Sequence, residues 1–387
     1  MSTTTETRRR TLFMSMLAAA AAVEAGDTDH AQVLIDRLGQ GLGAEDAAGA
    51  RLSRIFAACL RARLTNGGVS GGNLYQNGPG PDDMLAAFQV LVQHTPFVRF
   101  GHAATNAILA TALAGEPRVH LIDVGIGSGI QWLGLIEALA ARGAGTPSLR
   151  ITGIDLPAPG DDPEQRLWEI GAMLRRHAAR AGLPFEYAAC ACPIEQVDFD
   201  QLCAAGGGTV AVNAAFALHH ILPAEVSPDT AGSREVVLRR LHALRPRVLT
   251  LVEPDVDHNL RYFARRVRES FGHYLAVFEA FEALLPGSPR EREVIEHAFF
   301  GREIQNVVLG EGPERVERHD RHATWQHRLG AAGFAPCDLG RGAIGAARSS
   351  VEHFDGPITI TASPGALTLG WKETPLIVAS AWRACAA

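Results

Sequence analysis

The chain has 387 residues, 47% hydrophobic and 20% charged, which excludes a disordered chain and leaves either one elaborated domain or a core with a cap. The formal net charge of -6, with Lys372 the only lysine, argues against a protein that grips duplex nucleic acid through a basic surplus. Six cysteines (Cys59, Cys190, Cys192, Cys203, Cys337, Cys385) form no CxxC pair and no zinc spacing, and read as reduced thiols.

Thr7-Arg8-Arg9-Arg10 before the apolar run Thr11 to Val23 imitates a secretory or twin-arginine signal. Helical spacing nevertheless continues through Phe13, Leu17 and Ala20, and past Gly26-Asp27 into Val33, Leu34, Ile35 and Leu38, so two helices of a cytoplasmic protein are expected. No run reaches transmembrane length, and no membrane partner is expected. Arg51 to Leu64 is amphipathic, the Gly-rich stretch Thr65 to Pro81 with Tyr75 is a loop, and Asp82 to Ala114 supplies further helices. From Pro117 the pattern changes. Strands are expected at Val119 to Asp123, Leu149 to Asp155, Phe185 to Cys190, Thr209 to Asn213 and Val248 to Glu253, with helices at Ile130 to Arg142 and Gln165 to Ala181. Such alternation indicates right-handed crossovers and a parallel sheet. A long helix, Leu260 to Leu285, carries the stripe Phe263, Val267, Phe271, Tyr274, Phe278 and Phe281, which reads as core packing first and a ligand wall second. A helix near Trp325 to Ala332 precedes β-prone segments Ile358 to Thr361, Leu367 to Trp371 and Leu376 to Trp382, the last two joined like a hairpin.

The strongest chemical signal is Asp123-Val124-Gly125-Ile126-Gly127-Ser128-Gly129, at the end of a strand and before a helix. A pyrophosphate would want a bare, electropositive helix N-terminus, and Asp123 is a poor neighbour for it. A cationic ligand suits the acid better. S-adenosylmethionine has an ammonium and a sulfonium and no phosphate, so Asp123 answers its charge while Gly125, Gly127 and Gly129 admit a close approach. Asp155, closing the second strand, is placed to accept both ribose hydroxyls. The plain alternative is a tight turn followed by a helix-capping acid.

The loop and strand order resemble class I S-adenosylmethionine-dependent methyltransferases, and longer segments resemble the GRAS-domain family. The matching blocks include Val119-His120-Leu121-Ile122-Asp123, Asn213 with Leu218-His219-His220, Glu253 with His258-Asn259, Phe300-Gly301-Arg302-Glu303-Ile304, Glu314-Arg315-Val316-Glu317-Arg318 and Ser380-Ala381-Trp382. Plant members of that family usually lack the loop glycines, so their presence here points to the bacterial, methyltransferase-like branch. The resemblance implies a Rossmann-like α/β fold, a mostly parallel sheet with an antiparallel C-terminal hairpin strand, under a helical cap. It further implies that Asp123, Gly125, Gly127 and Gly129 line the methionine end of the cofactor, Asp155 the ribose and the turn Cys192 to Glu195 the adenine, with Asn213 beside the methyl group. A homodimer is also suggested by the relatives.

Candidate catalytic residues follow from position at strand ends. His219 and His220 lie beyond the fourth strand, and Glu253 and His258 at and after the fifth, where a base could take a proton from an acceptor hydroxyl. The acids around His258 offer no recognisable ligand frame, and no metal is expected. Tyr75, His102 and Asn106 from the N-terminal helices, with Phe271 and Tyr274 from the aromatic helix, are expected to close over a small, hydrophobic substrate. Residues 1–117 would form a helical cap, 118–255 the first part of the core, 256–305 a helical cap insertion and 306–387 the rest of the core. The expected activity is S-adenosylmethionine-dependent O-methylation of a carboxylate or hydroxyl on a small metabolite, with no nucleic-acid partner. The alternatives are N-methylation and a non-catalytic GRAS-type regulatory or interaction protein.

Overall fold

In the computed structural model, residues 3–40, 47–65, 81–157, 162–227 and 230–385 are described. Five helices come first: α1 (Thr3–Ala25), α2 (Thr28–Gly39), α3 (Ala48–Leu64), α4 (Pro81–His94) and α5 (Pro96–Ala112). The break between α1 and α2 falls where the sequence places it. Gly26 takes φ 72°, and the Asp27 carboxylate accepts the His30 N–H, capping α2. α5 begins with Pro96, whose missing N–H costs nothing in the first turn.

The alternating part follows: β1 (Arg118–Val124), α6 (Gln131–Ala140), β2 (Ser148–Asp155), α7 (Gln165–Ala181), β3 (Phe185–Ala191), α8 (Phe199–Gly206), β4 (Thr209–Ala215), α9 (Arg234–Ala243) and β5 (Val248–Pro254). After it come α10 (Phe263–Leu284), α11 (Pro289–Val294), a π-helical turn (Ile295–Phe300), α12 (Gly301–Leu309), α13 (His322–Ala331), β6 (Phe334–Pro336), α14 (Gly340–Ser349), β7 (Ile358–Ser363), β8 (Ala366–Trp371) and β9 (Thr374–Ala384). The sheet order is β3-β2-β1-β4-β5-β9-β8-β7, with β6 also on β9. β1 to β5 are mutually parallel, and β9, β8, β7 and β6 add antiparallel. The chain is therefore a mixed α/β fold whose parallel half carries helices on both faces.

β1 and β5 are buried along nearly their whole length, as continuous apolar runs in a parallel sheet should be. Strand order reverses at β1, between β2 and β4, so a crevice opens at the carboxyl ends of β1 and β4. Asp123 and Asn213 sit there as register partners. α10 packs against α1 and α3, and the Phe271 ring lies 5.2 Å from Phe56 and 6.3 Å from Phe13. Phe271 is thus core, and burying such a side chain stabilises by about 1.5–3 kcal/mol.

Candidate functional site

The glycine loop turns back on the protein. Gly125, Gly127 and Gly129 all have left-handed backbone, φ 76°, 57° and 69°. A Cβ on Gly125 would meet Ala217 Cβ at 2.7 Å, and one on Gly129 would meet Ile170 Cγ2 at 2.6 Å. Glycine is required here by the turn and by close packing. The loop's amides are also used internally. Gly125 and Ile126 donate to the Ile154 carbonyl, Gly129 to the Ile126 carbonyl and Gly127 to Asp155 Oδ2.

Asp155 is similarly committed. Its Oδ1 accepts the Leu156 N–H, and its Oδ2 also pairs with the Arg166 guanidinium at 2.8 Å. Arg166 donates on to the Gly127 carbonyl, so an α7 side chain lies across the loop. Asp123 faces inward, 2% exposed, accepting from Trp132 Nε1 at 2.6 Å and Asn213 Nδ2 at 2.8 Å. Burial pushes its pKa up to about 7 against the lowering effect of those two hydrogen bonds. Asn213 Oδ1 accepts from Thr250 Oγ1 at 2.8 Å, while Gln131 Nε2 donates to Thr105 Oγ1 and Asn106 Nδ2 donates to the Gln131 carbonyl. One buried polar network therefore ties β1, α6, β4, β5 and α5 together. Asp155 is thus paired, Asp123 is internal, and the amides of Gly125, Ile126, Gly127 and Gly129 have acceptors within the protein.

A second cluster lies at the carboxyl ends of β4 and β5. Glu253 Oε1 accepts the N–H groups of Leu218 and His219, and Glu253 Oε2 meets His219 Nδ1 at 2.6 Å. Glu317, fully buried, stands 3.5 Å from His219 Nε2, 3.6 Å from His220 Nδ1 and 3.7 Å from His319 Nε2. His258 Nδ1 and His319 Nδ1 are 2.9 Å apart, and the Tyr274 ring stacks on His258 while its hydroxyl donates to Glu303 Oε2. Burial opposes a charge on His219, but Glu253 and then Glu317 outweigh it and push its pKa up to about 10. A proton so held is unavailable for base catalysis near neutrality. Burial lowers His220 to about 4, and lowers His258 and His319 well below the ordinary histidine value.

The structure thus brings His219, His220, Glu253 and His258 together. Cys192 lies apart with its sulfur 3.3 Å from that of Cys190. His102 is on α5, where burial lowers its pKa to about 4; Asn106 serves the Gln131 network; Tyr75 lies outside the described residues. Sequence reasoning missed Glu317, His319 and Glu303 as members of the second cluster. The signal available was the dense charged run Arg315 to Asp320, in which Arg315, Glu317, Arg318, His319 and Asp320 all prove buried. Arg234 holds part of that run. Its fully buried guanidinium donates to Asp320 Oδ2 at 2.5 Å and to the carbonyls of Ile221, His219 and Arg318.

Fold and network together define an α/β sheet protein whose ligand-type loop is closed by its own side chains. The chain belongs to the GRAS domain family, whose profile matches residues 12–383. Chitin-inducible gibberellin-responsive protein 2 of Oryza sativa subsp. japonica is 35% identical over 95% of this chain and 67% of its own length. Scarecrow-like transcription factor PAT1 of Arabidopsis thaliana is 32% identical over 97% of this chain and 76% of its own length, and the DELLA protein DWARF8 of Zea mays 33% identical over 97% and 61%. The crystal structure of SCL7 in Oryza sativa superposes with a TM-score of 0.83 at 29% identity, covering 96% of this chain and 99% of that one. The chain spans about six-tenths to three-quarters of the length of these curated relatives.

These relatives overturn the expected enzyme. They are plant proteins, not a bacterial methyltransferase-like branch, and their names are those of regulators: a transcription factor, a gibberellin-responsive protein, a DELLA protein. The expectation of O- or N-methylation of a small hydrophobic metabolite is corrected accordingly, as are a small-molecule partner and the exclusion of nucleic-acid-associated partners. The misreading has a physical cause. A glycine-rich turn after a parallel strand needs the same residues whether its amides hold a ligand or close on the protein.

Proposed function

We propose that this chain is a non-catalytic regulatory protein that works by associating with other macromolecules. The supporting observation is similarity to plant regulators over nearly the whole chain. The commitment of Asp123, Asp155 and His219 to internal partners is consistent with it. With a net charge of -6, contact with DNA is expected to run through a bound protein and not through a basic surface of its own. Crosslinking the chain in its host and sequencing the recovered DNA tests this. Enrichment at a discrete set of sites, dependent on a protein crosslinker, supports the reading. Uniform background DNA, together with transfer of a labelled methyl group to a host metabolite, refutes it.

A further inference from the structure

β3 is the outer strand of the sheet, and it ends in Cys190-Ala191 before a bend at Cys192 and the turn Ile194–Gln196. Side chains two apart on a strand share a face, and both cysteines pack against the apolar cluster that includes Ile154 and Val197. Each is half-buried and in part open to solvent. Their sulfurs are 3.3 Å apart, one thiol donating to the other. In a straight strand the Cα atoms of such a pair are about 6.4–6.8 Å apart, the wide end of the about 4.4–6.8 Å that a disulfide spans. The bend at Cys192 leaves that straight path, and the sulfurs need to close by only about 1.3 Å to reach a bond of about 2.05 Å.

We propose that Cys190 and Cys192 are a reversible oxidation site, at which hydrogen peroxide joins the two sulfurs. Cys192, at the bend beyond the strand, attacks first. Its thiolate displaces hydroxide from the peroxide, giving a Cys192 sulfenic acid, and the proton shed by the thiol turns that hydroxide into water. The Cys190 sulfur then attacks the sulfenic sulfur. The S–S bond forms as the S–O bond breaks, and the Cys190 proton leaves with the departing hydroxide as a second water. Two thiols and one peroxide give one disulfide and two waters. The order follows from the surroundings of Cys190: burial first, then the Cys192 thiol and the Glu164 charge, push its pKa up to about 12 and make it a poor first nucleophile. A ring closed over Ala191 alone is tight, and strained disulfides are the labile, regulatory kind. Ala191 is also the register partner of Asp155, whose carboxylate holds Gly127 and Arg166, so oxidation reshapes the strand end beside the closed glycine loop.

The test takes the full chain, reduced and freed of reductant, treats it with hydrogen peroxide at neutral pH, alkylates the remaining thiols after unfolding and maps the products of cleavage at glutamate. The peptide Tyr187 to Glu195 carries Cys190 and Cys192 and no other cysteine. It should lose two hydrogens and take up no alkyl group, while Cys59, buried and with its pKa pushed up to about 12, should be alkylated. Reduced glutathione should restore both thiols, as it does for a disulfide and not for a sulfinic acid. In Cys192→Ser, Cys190 should oxidise at least about 10-fold more slowly, and in Cys190→Ser, Cys192 should stop at a sulfenic acid that dimedone traps. Two alkyl groups on the wild-type peptide after a peroxide dose that oxidises free glutathione, or a disulfide between two chains in place of the internal one, overturns the proposal. So does oxidation of Cys190 at the same rate with and without Cys192. Where circular dichroism shows that a serine variant has not folded, the wild-type map decides alone.

Discussion

Replacing Asp123 by Asn measures what the buried acid of the glycine loop contributes. The folded pKa of about 7 lies above the ordinary aspartate value of 3.8, and burial is the main cause. Below about pH 4 both folded and unfolded chains carry the proton, and the acid imposes no penalty. Between about 4 and 7 the unfolded chain releases the proton and the folded chain keeps it, so stability falls as pH rises. Above about 7 both are ionised and the loss is complete. A gap of about three between the two pKa values corresponds to on the order of 4 kcal/mol. The protonated acid also has a place in the network. Trp132 Nε1 donates to one oxygen, and a flip of the Asn213 amide would let Oδ1 accept the new O–H while Nδ2 turns to Thr250 Oγ1. Asn at 123 can make the same two bonds at every pH. Urea unfolding of wild type and Asp123→Asn from pH 4 to 8 is the assay, and only the difference between them matters, since other groups titrate alike in both. The wild type should lose about 4 kcal/mol relative to the variant across that range. A flat difference, or a wild type that gains on the variant as pH rises, would show the carboxylate ionised in the fold and refute the reasoning.

Arg234→Met should cost about 3 kcal/mol, since it removes the donor to three backbone carbonyls, while Asp320 keeps Arg328 Nε at 2.8 Å. Arg234→Lys should recover less than half of that, because a single ammonium cannot replace the planar fork; denaturant midpoints measure both. In the glycine loop, Gly127→Ala should lose about 1–2 kcal/mol for its left-handed backbone alone, with the nearest atom 3.9 Å from the new methyl. Gly129→Ala adds the clash with Ile170 and should lose about 2–5 kcal/mol; equal losses on thermal unfolding would contradict the packing role. Phe271→Ala should cost about 3–5 kcal/mol in the same assay by opening a cavity between α1, α3 and α10. A surface residue of a ligand pocket would lose far less.

The parallel strands were legible because each buried strand is an apolar run of strand length, and the acids and histidines at their ends followed from position. β6 and α14 were not: Phe334–Pro336 is too short for a period, and Gly340–Ser349 is rich in Gly and Ala, with only Ala343 and Ala347 buried. Half of the second cluster was legible for the same positional reason. Glu317 and His319 were not, since they stand in irregular chain nearly a hundred residues beyond His219, and no local pattern relates the two. Arg166 shows a different blindness. On an amphipathic helix it reads as a solvated charge, yet it reaches back to Asp155 and Gly127 and closes the loop.

That closure satisfies the polar groups at the strand ends from within the protein. At the strand-order reversal a parallel sheet leaves unpaired amides and carbonyls facing a crevice, and something must satisfy them. A bound ligand is one solution. Here Asp155, Arg166 and the loop's own carbonyls supply the bonds on the β2 side, and Asp123, Trp132 and Asn213 supply them at the reversal itself. On the β5 side, Glu253 accepts the buried Leu218 and His219 amides of the turn after β4, and Glu317 brings in the irregular segment. These groups tie α5, α6, α7 and the 315–320 segment to the carboxyl ends of the sheet.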